Sequence, residues 1–161
     1  MSRVGVTYRG ESASLLKDYT AGNPFYIWLF CDELVNYLNK KRNREVISKD
    51  VEVVADEMAH NMDSKYFENL VLAGEDDKVS EFSVGQVLPV LKRIALESEM
   101  TGWCPRTLIM VNGADVVDGA RIDDILQNLI DREVIIRQGE QYQIIVKLYS
   151  KWLCVQDKKG V

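Results

Sequence analysis

The chain has 161 residues, enough for one domain or two small ones, and 47% of them are apolar, enough to bury a core. A formal charge of −5 argues against a general affinity for phosphate backbones, which depends on clustered lysine and arginine. No apolar run has the length of a bilayer span, the N-terminus lacks a signal-peptide stretch, and the three scattered cysteines suit reduced thiols, so the expected compartment is the cytoplasm.

Val4 to Tyr8 is β-branched enough for a short strand, and Gly10 interrupts it. From Glu11 to Tyr19 the apolar positions Ala13, Leu15, Leu16 and Tyr19 have helical spacing. Gly22 can close that helix in a left-handed conformation, and Pro24 suits the first turn of the next, so Thr20 to Pro24 reads as a rigid corner between two helices. The seven residues Phe25 to Cys31 are all apolar, which predicts a central helix whose first two turns are buried all round, Trp28 included. It runs to about Lys41 and ends in the basic run Lys40, Lys41, Arg42 and Arg44. That run suits a solvated helix C-terminus, where cations meet the favourable end of the dipole, and its other use is a phosphate or nucleic-acid contact.

Glu45 to Ile47 is a short extended piece, and Ser48 reads as the cap of a helix from about Lys49 to His60. Asp63 caps a further helix carrying Tyr66, Phe67, Leu70 and Val71. The polar stretch Glu75 to Lys78 then marks a linker, which gives a first domain at 1–74, a linker at 75–80 and a second domain at 81–161. Ser83 with Gln86 forms a capping-box pattern for a helix through Leu96, with Pro89 expected to kink it or delay its start. Pro105 begins a shorter helix to about Asn112, stopped by Gly113, and a third runs from Gly119 to Arg132. Val134 to Arg137 and Tyr142 to Val146 form a hairpin turning at Gly139. A short helix from Lys147 to Cys154 follows, packing Leu148, Trp152 and Leu153, and then a frayed tail from Gln156. The fold class is mainly α: a helical bundle followed by three helices and a hairpin, the winged-helix order.

Two stretches carry a family resemblance. Thr20-Ala21-Gly22-Asn23-Pro24-Phe25-Tyr26, leading into Leu29-Phe30-Cys31-Asp32-Glu33-Leu34, resembles the Gly-x-Pro joint in the helical lid of the STAND class of AAA+-related signalling ATPases. Asp123 to Ile135, then Gln141 to Ile144 and Leu148-Tyr149-Ser150-Lys151-Trp152-Leu153, is similar to the winged helix that closes many of these ATPases. The resemblance implies a lid-type bundle followed by a winged helix with a β-hairpin wing. It also implies that Gly22, Asn23 and Pro24 lie beside the adenine of ATP or ADP in an intact ATPase, and that the partner is a nucleotide-binding domain of the same or another chain.

No Gly-x-x-x-x-Gly-Lys-Ser/Thr occurs, so the phosphates have no backbone cradle, and this chain alone is expected to bind no cofactor and to hydrolyse nothing. The lid pattern begins almost at the first residue, which points to a piece of a longer ATPase or a free-standing relative without its core. His60, the only histidine, falls near a helix end, and no metal or nucleophile constellation accompanies it. The alternative is a stand-alone winged-helix module, a DNA-binding regulator or a protein adaptor. DNA reading is disfavoured because the third helix presents Asp123, Asp124 and Asp131 beside a single Arg121. A protein partner is favoured, with Trp103 and Tyr149 as the candidate surface, whereas Trp152 reads as core.

Overall fold

The computed structural model describes residues 5–72, 82–109 and 119–160. Its internal contacts divide the chain into two units, Met1–Asn61 with Val146–Leu148, and Met62–Ile145 with Tyr149–Val161. The division falls at residue 61 rather than near 75, and the stretch 75–80 lies outside the described residues. The physical reason is that residues 62 to 71 are held by side chains of the second unit, Tyr149, Trp152 and Arg132. Among the described residues no helix is long and apolar enough to cross a membrane.

In the first unit β1 (Thr7–Tyr8) pairs in parallel with β2 (Glu45–Val46), Thr7 opposite Glu45 and Tyr8 opposite Val46. Parallel strands need a long crossover. Here it consists of α1 (Ser12–Thr20) and α2 (Pro24–Lys41), and α3 (Ser48–Asn61) follows β2. Leu16 and Tyr19 of α1, Tyr26, Phe30, Leu34 and Leu38 of α2, and Val51, Val54, Ala55 and Met58 of α3 form the buried core. The Tyr19 and Phe30 rings stack at 6.0 Å, and the ammonium of Lys147 lies over the Tyr19 ring.

The start of α2 corrects the sequence expectation. Tyr26 and Phe30 are buried, but Phe25 is 48% exposed and Trp28 65%, so the helix has an open face from its first turn. The physical cause is that α1 and α3 cover the stripe that carries residues 26, 30, 34 and 38. A run of seven apolar residues covers a helix all round, whatever the neighbours can reach.

Ser48 also differs: it is the first helical residue of α3, not its cap. The orphan donor at that end is met instead by Asp50, whose Oδ2 accepts from the Ile47 N–H at 3.0 Å.

The second unit opens with a 3-10 turn (Ser64–Phe67) and α4 (Glu68–Val71). Asp63 caps the turn as expected, its Oδ1 accepting from the Lys65 N–H at 3.0 Å. Phe67 packs at a tilt against Tyr149 and Trp152, with ring centroids 4.8 and 5.2 Å away. The Trp152 indole donates to the Met62 carbonyl at 2.9 Å. Arg132 donates to the carbonyls of Asn69, Leu70 and Val71, placing a cation on the open end of α4. These contacts hold residues 62–71 to the second unit.

Next come α5 (Val84–Thr101), β3 (Cys104–Pro105), α6 (Arg106–Ile109), α7 (Gly119–Asp131), β4 (Ile135–Gln138), β5 (Gln141–Ile144) and α8 (Lys147–Lys158). The helix α5 starts immediately after Ser83, whose N–H donates to Gln86 Oε1 at 3.0 Å, so Pro89 does not delay its start. Pro105 is the last residue of a strand rather than the first of a helix, and the positions Asn112 and Gly113 lie outside the described residues. The sheet is antiparallel in the order β3-β5-β4. That places Pro105 on an edge strand, where a missing N–H is tolerated. The hairpin turns at Gly139, φ +61°, as its sequence implies. The helix α8 reaches Lys158, well past Cys154 and into the stretch expected to fray.

Candidate functional site

The corner before α2 is built by four residues. Ala21 and Gly22 both adopt left-handed conformations, φ +54° and +69°. A Cβ on Gly22 would meet nothing within 4 Å, so the need for glycine there is conformational rather than steric. Asn23 caps α2, its Oδ1 accepting from the Phe25 N–H at 2.9 Å, and Pro24 occupies the first helical position. Gly22, Asn23 and Pro24 are all exposed, so the structure brings them together at the surface.

The N–H donors of four residues at the corner are already engaged. The N–H of Gly22 goes to Lys17 O, that of Asn23 to Thr20 O, that of Phe25 to Asn23 Oδ1 and that of Ile27 to Asn23 O, while Pro24 has none. A helix N-terminus holds anions through free N–H groups. This one offers a ring face instead, from Pro24, Phe25 and Trp28, and suits a flat apolar group better than a phosphate.

At the other end of α2 the basic run is divided. Lys41 Nζ donates to Asp50 Oδ1 at 2.8 Å and lies over the Tyr37 ring. Its pKa is raised by the hydrogen bond to Asp50. Burial pushes the Asp50 carboxyl up, but the Lys41 ammonium and the Ile47 N–H outweigh it and hold the group below its ordinary value. Lys41 is thereby a structural tie between α2 and α3. Lys40, Arg42 and Arg44 are exposed.

In the second unit a cleft of about 300 Å³ lies between α7 and the hairpin, lined by Asp123, Leu126, Gln127, Ile130, Arg137, Glu140 and Tyr142. Its polar groups hold one another: Arg137 binds Glu140 and the Gly139 carbonyl and lies over the Tyr142 ring, Arg106 binds Asp123 at 2.8 Å, and Gln127 binds Asp131 at 2.8 Å.

Of the two aromatics expected at a partner surface, Trp103 is half-buried and Tyr149 is fully buried. Tyr149 is core because α8 presents it to Phe67. The exposed aromatics that the sequence reading missed are Phe25 and Trp28. Their signal was Asp32: Phe25, Trp28, Asp32 and Val35 recur at helical spacing, and a carboxylate on that stripe marks it as the outer one.

Burial pushes the Cys104 thiol up to about 11 and the Cys154 thiol up to about 12, which makes both poor nucleophiles at neutral pH. Among the described residues no group of His, Cys, Asp and Glu has the arrangement of a metal site, and His60 Nδ1 lies 2.7 Å from the Asp56 carbonyl one turn back on its own helix.

Comparison with protein-family models, curated proteins and solved structures finds no match to this chain.

Proposed function

We propose that this chain is the non-catalytic regulatory region of a nucleotide-dependent signalling ATPase of the STAND type, a helical lid followed by a winged helix. The single observation that carries this is the corner at Gly22, Asn23 and Pro24, which stands open to solvent, offers rings and engages its own donors. Such a surface is matched to the flat base of ATP or ADP and not to its phosphates. A separate nucleotide-binding domain then supplies the phosphate cradle that this sequence lacks. Nucleotide exchange acts as a switch only to the extent that the nucleotide binds two arrangements of the lid differently.

The second unit supports the winged-helix half of the reading. Its order α5-β3-α6-α7-β4-β5, with the sheet ordered β3-β5-β4, is that of three helices with a strand after the first and a closing hairpin. The acidic outer face of α7 favours a protein partner over DNA as its ligand. A stand-alone DNA-binding regulator remains the second reading only through Lys40, Arg42 and Arg44, the exposed cations of the other unit.

The test is nucleotide retention by the native polypeptide purified from its source. Bound ADP or ATP is expected, and Pro24→Ala is expected to speed its release several-fold while leaving the circular dichroism of the 161-residue chain unchanged. Absence of nucleotide from the purified polypeptide, or release at the same rate in the variant, would overturn the reading.

A further inference from the structure

The outer stripe of α2 combines two exposed rings with a carboxylate. Phe25 is 48% exposed, Trp28 65% and Val35 43%, and Asp32 is exposed between them. Phe25 and Trp28 are three apart in the helix, Trp28 and Asp32 four apart, so each neighbours the next on one face. Asp32 has no ion-pair partner among the described residues. The positions one turn either side of it hold Trp28, Leu29, Val35 and Asn36, none of them a cation. The Trp28 ring has no stacking partner among the described residues.

We infer that this stripe is a docking surface for an arginine side chain of a protein partner. A guanidinium is planar, stacks on an aromatic face, is attracted by the ring quadrupole and donates laterally to a carboxylate. Trp28 with Phe25 supplies the face, Asp32 the acceptor and counter-charge, and Val35 an apolar floor for the methylene stem. Charge complementarity selects the occupant: an apolar partner would leave the Asp32 carboxylate dehydrated at the centre of the contact, and an anionic one would be repelled by it. The second copy of this chain is a poorer fit, because a symmetric pairing of the stripe about its centre sets the Asp32 carboxylate of each copy against the Trp28 ring of the other and brings it no cation. The inference shares the rings of Phe25 and Trp28 with the nucleotide reading but does not rest on it, since its acceptor is Asp32, which the Gly22 to Pro24 corner does not use.

The test uses the 161-residue chain labelled with 15N at its tryptophan indoles. The Trp28 resonance is identified by its absence in Trp28→Leu, and the chain is titrated with the blocked tripeptide Gly-Arg-Gly and its neutral citrulline counterpart. The Arg peptide is expected to shift the Trp28 indole resonance and the citrulline peptide is not. Asp32→Asn is expected to weaken the response by roughly threefold, the range of an exposed ion pair, and added salt to weaken it further. Both substituted positions are exposed, so the fold is expected to persist, with circular dichroism as the check. Equal shifts with both peptides, an unmoved Trp28 resonance, or an Asp32→Asn chain that responds like the parent would overturn the inference. A response to adenosine but not to the Arg peptide would also overturn it and assign the stripe to base stacking.

Discussion

The outer faces of α2 and α7 make opposite use of similar positions. On α2 the outward residues are Phe25, Trp28, Asp32 and Val35, and among the described residues Asp32 has no ion-pair partner. On α7 the outward residues are polar; Asp123, Gln127 and Asp131 are held, Asp123 by Arg106 and the other two by each other, while Arg121 and Asp124 are exposed with no ion-pair partner among the described residues. A polar group that is already held loses its bond when a ligand enters and an exposed charge loses its hydration, whereas an apolar surface in water gains by being covered. The helix that looked like core thus presents an apolar face to solvent, and the third helix, disfavoured for DNA by its carboxylates, presents a polar one.

The largest effect should separate the two sides of α2. Phe30→Ala removes a fully buried ring and is expected to cost about 3–5 kcal/mol, while Trp28→Ala, on the open side, is expected to stay within about 0.5 kcal/mol. Urea unfolding of both variants measures the contrast, and equal losses would mean that α2 is covered on both sides.

A smaller effect concerns the tie at the C-terminal end of α2. The Asp50 carboxyl lies below its ordinary value of 3.8 in the folded chain, so its stabilising contribution is present above that pH and is lost as the pH falls through the folded value. Asp50→Asn is expected to lower the melting temperature at pH 7 by several degrees and to flatten the loss of stability between about pH 5 and pH 2, since the titrating group is gone. Parallel acid profiles for parent and variant would show that other carboxylates dominate.

The smallest of the three effects falls just beyond α7, where Arg132 caps another helix. Arg132→Leu leaves the carbonyls of Asn69, Leu70 and Val71 without their guanidinium, at a cost of about 1–2 kcal/mol. Hydrogen exchange is expected to speed up at residues 67–72 while the amides of α5 stay protected, and unchanged exchange at 67–72 would place the anchoring of this segment wholly in the Phe67 contacts.

Local signals with one meaning were legible in the amino-acid order. Asn23 followed by Pro24, Asp63 before Ser64, Ser83 with Gln86, and Gly139 between two β-rich runs each placed an element end correctly. Signals with two meanings misled. Ser48 could cap or begin a helix, and the competing carboxylate of Asp50 decided it. Pro105 could open a helix or end an edge strand, and the free position beside β5 decided that. The candidate corner was read from its own residues, but the stripe beside it was not, because apolarity says that a side chain can be buried and not that a neighbour is present to bury it.

The helix corners, the hairpin, the mainly helical class and the lack of a phosphate-binding loop thus followed from the amino-acid order alone, all set by residues within a few positions of one another. Other features waited on the folded chain. Packing exposed Trp28 and buried Tyr149, engaged Lys41 with Asp50, joined residues 62–71 to the second unit and added β3 to the hairpin, because each depends on groups distant in sequence competing for the same space or the same donor.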